Sequence, residues 1–236
     1  MNSPAIFTLP KPFTDDHIAT IQFNAIKSWT LSNADSDIFL LGDEAGIKEV
    51  SDELRVQHLQ HIAYNNHGTP LLNSAFQIAA QHTNARDMVY TNADMIYLQA
   101  FGNITNKLPL SSFLIIGRRT DLDISKRLKF SNGWQEELED SISREGKLHA
   151  TCGIDYFVFQ KETWKDFPPF VVGRAGWDNG FIYLAKRKEF RSSTRLKGLL
   201  QSTRIMPILR PRCSKASGTD QKRKRISALS VDANIS

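Results

Sequence analysis

The stretch Asp87-Met-Val-Tyr-Thr-Asn-Ala-Asp94 joins a short apolar run directly to polar residues. Two earlier stretches have the same form: Ile6-Phe-Thr-Leu9 runs into Pro10-Lys-Pro12, and Asp37-Ile-Phe-Leu-Leu41 runs into Gly42-Asp43. Continuous apolar runs are typical of parallel strands that are buried on both faces. Segments with apolar residues at helical spacing separate these runs, and strands that alternate with helices form parallel sheets. The sequence therefore predicts an α/β domain with a mixed, mainly parallel, Rossmann-like sheet flanked by helices.

Elements outside these stretches are predicted from periodicity and punctuation. Further strands are expected at residues 56–59, 113–116 and 153–159, and helices at residues 16–29, 45–54, 68–79, 134–145 and 177–186. Either Asp15 or Asp16 can cap the first helix, because an aspartate side chain accepts hydrogen bonds from the first free backbone N–H groups. Pro70 is expected in the first turn of the third helix, where its missing N–H is not needed.

Charge divides the chain into two parts. Residues 1–185 contain 16 Lys and Arg against 22 Asp and Glu, whereas residues 186–236 contain 14 against 3. The second part lacks a helical or strand period, apart from the apolar patch Ile205-Met-Pro-Ile-Leu209, which can pack locally. We therefore predict a folded domain over residues 1–188 and a basic, disordered tail over residues 189–236.

Several classes of protein are excluded by composition. No run of about 18 apolar residues is present, so no integral membrane segment is expected. The amino terminus lacks the pattern of a secretory signal, and Cys152 and Cys213 lack partner spacing. We expect a cytoplasmic protein, either free or peripheral to the inner face of the membrane. The histidines show no metal-ligand spacing.

Three segments follow the strands: Pro10-Lys-Pro12, Gly42-Asp43 and Asn92-Ala-Asp94. They are expected to line one crevice, because ligands bind beyond the carboxyl ends of parallel strands. Asn92 and Asp94 are two residues apart, so on an extended turn they point the same way. Mn²⁺ and Mg²⁺ prefer such oxygen ligands. Alternatively, both residues only satisfy the backbone of a turn.

A second group of polar residues lies further along the chain. Asp178, in Gly176-Trp-Asp-Asn179, is placed to accept a proton from an attacking hydroxyl, or is a plain helix cap. Asp155 can bind hydroxyls of a sugar or acceptor. Arg118 or Arg119 can bind a phosphate, although Asp121 and the nearby Asp123 are alternative, internal partners for them.

In order along residues 7–185, seven segments resemble bacterial glycosyltransferases of GT-A fold related to the family-2 type: 7–13, 40–43, 68–72, 90–94, 117–124, 153–159 and 173–179. The resemblance implies transfer of a sugar from a nucleotide-sugar donor to an acceptor hydroxyl, with metal dependence and inversion. It implies Asp94 as the metal-side acid, with Asn92 beside it, Asp43 as a nucleoside contact and Asp178 as the catalytic base. The other substrate-binding residues that we predict are Pro10, Thr69, Arg118, Asp155 and Trp177.

Two departures from the family pattern bear on activity. The metal motif is usually Asp-x-Asp, and Asn92 offers an oxygen without a charge. Relatives continue into a segment whose histidine can complete the metal site, but no histidine follows His149. We therefore expect weakened metal binding and impaired catalysis. The alternatives are a non-catalytic protein of this fold, or binding of nucleic acid or an anionic surface by the tail. Because the tail lacks aromatic residues beyond Phe190, nucleic acid is not the expected partner.

Overall fold

The computed structural model describes residues 3–106, 113–117, 119–150, 154–164, 166–173, 176–187 and 208–211. The strands are β1 (Ala5–Thr8), β2 (Ile38–Leu41), β3 (Gln57–Leu59), β4 (Asp87–Thr91), β5 (Ile96–Tyr97), β6 (Leu114–Ile116), β7 (Thr120–Leu122), β8 (Lys147–Leu148), β9 (Tyr156–Gln160) and β10 (Ile208–Pro211). The helices are α1 (Asp16–Ser32), α2 (Ile47–Leu54), α3 (Leu72–Gln81), α4 (Gly102–Thr105), α5 (Trp134–Glu145) and α6 (Trp177–Arg187). A 3-10 turn covers Lys161–Trp164.

The central sheet has six strands in the order β3, β2, β1, β4, β9 and β6. Strands β1 to β4 pair in parallel, while β9 runs antiparallel to both of its neighbours, β4 and β6. Five of the six strands therefore point the same way. The prediction of a mixed, mainly parallel sheet flanked by helices is confirmed.

Successive strand residues face opposite sides of the sheet and build two apolar layers. In β1, Ile6 packs with α1, α2 and α5, whereas Ala5 and Phe7 pack with α3 and α6. The second layer is rich in aromatic side chains: Phe76 stacks on Phe167, with ring centroids 4.4 Å apart. Because both faces of the sheet are covered, its strands read as continuous apolar runs.

Local sequence explains where the helices begin. The Asp15 carboxylate accepts a hydrogen bond from the backbone N–H of Ile18 at 2.9 Å, so Asp15, rather than Asp16, is the cap of α1. Helix α3 begins at Leu72, two residues after Pro70, so the prediction that Pro70 lies in its first turn is wrong. Pro70 instead forms a β-bridge with Tyr64.

A smaller sheet, in the order β5, β10, β7 and β8, lies beside the central one. Its β10 comes from the segment predicted as a tail and pairs with β5 and β7. The other residues of that tail, together with Cys152, lie outside the described residues. Within the part of the chain that the structure describes, no helix is long and apolar enough to cross a bilayer.

Candidate functional site

A cavity of about 640 Å³ opens at the carboxyl edge of the central sheet. Its walls come from the segments that follow β1, β2 and β4, from the start of β7 and from the first turn of α6. This volume lies within the usual range for small-molecule sites. The position agrees with the general placement of ligands in open sheets.

Five of the nine predicted site residues line this cavity. They come from three segments that are far apart in the sequence: Pro10, Asn92, Asp94, Trp177 and Asp178. The fold therefore brings together the loop after β1, the loop after β4 and the beginning of α6. No spacing rule within one segment could have produced this grouping.

Three predicted substrate-binding residues do not line the cavity. Asp43 is exposed, and its carboxylate accepts a hydrogen bond from Gln60 at 2.6 Å. Thr69 lies in a turn closed by Asn65, whose side chain accepts a hydrogen bond from the Thr69 backbone N–H at 2.9 Å. Asp155, also predicted to bind substrate, is 6% exposed and is not among the residues that line the cavity. Arg118 lies outside the described residues.

The loop after β4 is held to the start of β9. The backbone N–H of Asn92 donates to the Asp155 carbonyl at 2.9 Å, and the Asn92 side-chain Nδ2 donates to Asp155 Oδ1 at 2.8 Å. Because β9 is antiparallel, its first residues meet the last residues of β4 at the same edge. On the other side of the loop, the Trp29 indole donates to the Met95 carbonyl. Asn92 and Asp94 are therefore held on both sides.

Arg119 is an internal partner of two acids. It is 6% exposed, forms an ion pair with Asp155 and donates from Nε to Asp121 Oδ1 at 2.9 Å. His149 also contacts Arg119, and its Nδ1 lies 2.8 Å from Asp121 Oδ2. Burial alone would raise the pKa of Asp121, but the hydrogen bonds from His149 and Arg119 outweigh it and lower this pKa. Of the two alternatives for Arg119, the internal one agrees with the structure.

Asp178 is positioned by the residues on either side of it. Gly176 has φ of 94°, a conformation that side chains rarely adopt, and so allows the chain to turn into α6. The Trp177 ring packs against Tyr90 and Phe157, with centroids 5.4 and 5.2 Å away. The Asp178 carboxylate accepts a hydrogen bond from the backbone N–H of Asn179 at 2.8 Å. The first turn of α6 is thus anchored with this acid on the cavity wall.

The sequence reasoning missed Gln22, which lines the cavity although it is only 3% exposed. Its side-chain oxygen accepts from the backbone N–H of Lys11 at 2.8 Å, and its nitrogen donates to the Lys11 carbonyl at 2.9 Å. A signal was present, because Gln22 interrupts the apolar face of α1 between Ile21 and Ala25. A buried amide on such a face requires partners.

The charges that line the cavity favour a cation. Two basic side chains and four acidic ones face it, a formal excess of two negative charges: Lys11, Arg119, Glu44, Asp94, Asp121 and Asp178. The two basic groups are not equally available to an incoming anion, because Arg119 already forms ion pairs with Asp121 and Asp155. A nucleotide diphosphate, itself negative, would be repelled without a counter-ion.

The donor set fits Mg²⁺ or Mn²⁺ only in part. Asn92 and Asp94 supply oxygen ligands on the cavity wall, and Mg²⁺ commonly uses one or two carboxylates plus phosphates and waters. Among the described residues, no three His, Cys, Asp or Glu side chains are grouped to hold a metal. The residues therefore fit a cation that is coordinated partly by a bound phosphate better than a cation that is enclosed by protein ligands alone.

Comparison with known proteins gives distant structural likenesses. No family model and no curated protein matches the sequence. A protein of Desulfovibrio desulfuricans G20, described as a nucleotide-diphospho-sugar transferase, is similar at TM-score 0.41 and 11% identity, over 80% of this chain and 77% of that one. The glycosyltransferase GlyE of Streptococcus pneumoniae TIGR4 is similar at TM-score 0.37 and 12% identity, over 86% of this chain and 44% of that one. HddC from Yersinia pseudotuberculosis is similar at TM-score 0.39 and 12% identity, over 71% and 80%. Two of these three are sugar transferases by name.

Proposed function

We propose that this chain transfers a sugar from a nucleotide-sugar donor to an acceptor hydroxyl, with inversion and with a divalent cation. The observation that carries the proposal is the convergence of Asn92, Asp94, Trp177 and Asp178 on one cavity. Two kinds of group line it: side chains with oxygen atoms at the end of β4 and a carboxylate at the start of α6. Sugar transfer needs both in one place.

The reaction divides between these groups. The Asp178 carboxylate accepts the proton of the acceptor hydroxyl while that oxygen forms a bond to the anomeric carbon. The bond from the anomeric carbon to the diphosphate breaks on the opposite face, so the configuration inverts. Asn92 and Asp94 would hold Mg²⁺ or Mn²⁺, which would supply positive charge against the diphosphate that leaves. Trp177 would close the wall beside the sugar.

Donor binding and transfer can be measured separately. Isothermal titration of the full chain with UDP-glucose, GDP-mannose and dTDP-glucose, each with and without Mn²⁺, is expected to give binding to at least one donor that requires Mn²⁺. Asp178→Asn should keep donor binding and lose transfer by about 10²–10⁴-fold, the usual contribution of a general base. Asp94→Asn should weaken binding of both the cation and the donor.

A matched control is Asp140→Asn, the same change on the exposed surface of α5 and outside the cavity. It should leave binding and transfer unchanged. Binding of no sugar nucleotide in the presence of Mn²⁺ would contradict the proposal. Donor binding without transfer to any acceptor by the unmodified chain would favour the non-catalytic alternative.

A further inference from the structure

The cation ligand Asn92 is connected to two buried charges. Its side-chain nitrogen donates to Asp155 Oδ1 at 2.8 Å, and the other oxygen of that carboxylate forms an ion pair with Arg119. Both Asp155 and Arg119 are 6% exposed. Neither the loop after β4 nor the start of β9 can shift alone, because the Asn92 backbone N–H also donates to the Asp155 carbonyl at 2.9 Å.

These contacts determine which way the Asn92 amide points. An ionised carboxylate only accepts hydrogen bonds, so the amide atom that faces Asp155 is the NH₂ group. The amide oxygen lies on the other branch of the same planar group and is turned away from Asp155. Asn92 lines the cavity next to Asp94. The oxygen is therefore the atom that the amide can offer to a ligand there.

We propose that Asp155, held by Arg119, is a positioning residue that fixes the Asn92 amide with its oxygen towards the cation. The proposal rests on the metal-dependent function proposed above. It also explains the departure from an Asp-x-Asp motif. A carboxylate at position 92 would face the Asp155 carboxylate at hydrogen-bond distance, whereas an amide converts this contact into an attraction. Asparagine is thus matched to its buried neighbour.

The first test measures Mn²⁺ binding by isothermal titration of the full chain, once without a donor and once with a sugar nucleotide bound. In Asp155→Asn, Arg119 still needs an acceptor, so the new amide turns its oxygen to Arg119 and its NH₂ to Asn92. The Asn92 amide must then flip and present its NH₂ to the cavity. Mn²⁺ affinity should fall about 10–100-fold, as is usual when the partner of a metal ligand is changed.

The double variant with Asn92→Asp and Asp155→Asn distinguishes a positioning role of Asp155 from a merely structural one. It retains one amide and one carboxylate in exchanged places, so the amide can donate to the carboxylate and accept from Arg119. Mn²⁺ affinity should return to within about threefold of the unmodified chain, or exceed it, since the ligand is now charged. A merely structural role for Asp155 gives no such rescue.

A matched control is Asp87→Asn at the opposite end of β4. Asp87 is 1% exposed and pairs with Arg86, so this variant also damages a buried ion pair. It should bind Mn²⁺ like the unmodified chain. An equal loss of affinity in Asp87→Asn and Asp155→Asn would overturn the proposal, because both losses would then report damage to the fold.

A second measurement does not depend on the cation. In ¹H–¹⁵N spectra of the metal-free chain, one side-chain amide proton of Asn92 should exchange slowly with water and lose this protection in Asp155→Asn. Unchanged Mn²⁺ affinity in Asp155→Asn, or no rescue by the double variant, would overturn the positioning role alone. Failure of the unmodified chain to bind Mn²⁺, both alone and with a sugar nucleotide bound, would overturn this inference together with the metal-dependent function.

Discussion

Replacing Arg119 by methionine would leave two acids without their counter-charge. The Arg119 side chain is 7% exposed, and its guanidinium pairs with Asp155 and, at 2.9 Å, with Asp121. Methionine retains an unbranched apolar chain but none of the N–H donors. Removing one partner from a buried pair costs about 3–5 kcal/mol, because the remaining charge stays desolvated. A domain is stable by about 5–15 kcal/mol in total, so the loss would be a large fraction of the whole.

Urea unfolding at pH 7, followed by circular dichroism, measures this loss of free energy directly. The control is Lys48→Met, which removes an exposed pair with Asp52 at 2.9 Å, whose side chains are 73% and 69% exposed. That pair should contribute little to stability, because water screens charges that are this exposed. A loss below about 1 kcal/mol for Arg119→Met would refute the reasoning, since it would mean that the pair is hydrated in solution.

The same variant has a predictable dependence on pH. Burial opposes ionisation of Asp121, but hydrogen bonds from His149 and Arg119 prevail and lower its pKa from the ordinary 3.8. A group whose pKa is lowered by folding stabilises the fold above its ordinary pKa, and this contribution disappears as the pH falls through the lowered value. The difference in unfolding free energy between Arg119→Met and the unmodified chain should therefore shrink below about pH 4, as urea unfolding at several pH values would show.

Three further predictions concern single contacts. Trp177→Ala should destabilise the domain by about 2–3 kcal/mol in urea unfolding, less than the loss of a fully buried ring would. It should also lower the rate of sugar transfer more than Trp177→Phe does, and equal rates in the two variants would contradict a positioning role for the ring. Gly117→Ala would place a methyl group against the Tyr156 side chain and should cost about 1–3 kcal/mol. Gly68→Ala, whose methyl group would meet nothing within 4 Å, should cost less, only the strain of its positive φ, about 1–2 kcal/mol. A lower melting temperature for Gly68→Ala than for Gly117→Ala would refute this. Asp15→Ala should lose about 1 kcal/mol, the usual value of a helix cap, and an unchanged melting temperature would show that the cap is not formed.

Much of the fold could be predicted because strands that are buried on both faces of a sheet appear in the sequence as unbroken apolar runs. The residues of β1, β2 and β4 are buried along their whole length, so their apolar runs are unbroken and end where the polar loops begin. These endings are enough to predict that Asn92 and Asp94 lie at one edge of the sheet. Helix α5 was predicted with its observed bounds, because it is long and periodic.

Strand direction could not be predicted in the same way. An apolar run carries no information about polarity, so the antiparallel course of β9 was not anticipated. Its consequence is that Asp155 precedes a strand and yet reaches the edge where Asn92 follows one. The short strands β5, β7, β8 and β10 have two to four residues each, too few for a period to show. The pairing of Arg119 with Asp155 depends on that unpredicted part of the fold, whereas its pairing with Asp121 was one of the alternatives that the sequence offered.

The sheet separates the supports of the two halves of the candidate site. Trp177, which anchors Asp178, packs with the aromatic layer formed by α3 and α6. Arg119 and Asp155 instead directly precede β7 and β9, and the neighbouring Leu122 and Tyr156 belong to the opposite layer. Under the proposed function, substitutions that accumulate in one layer would alter the acceptor side while the cation side is inherited unchanged. A transferase of this kind would diverge in what it modifies without losing what it uses as a donor.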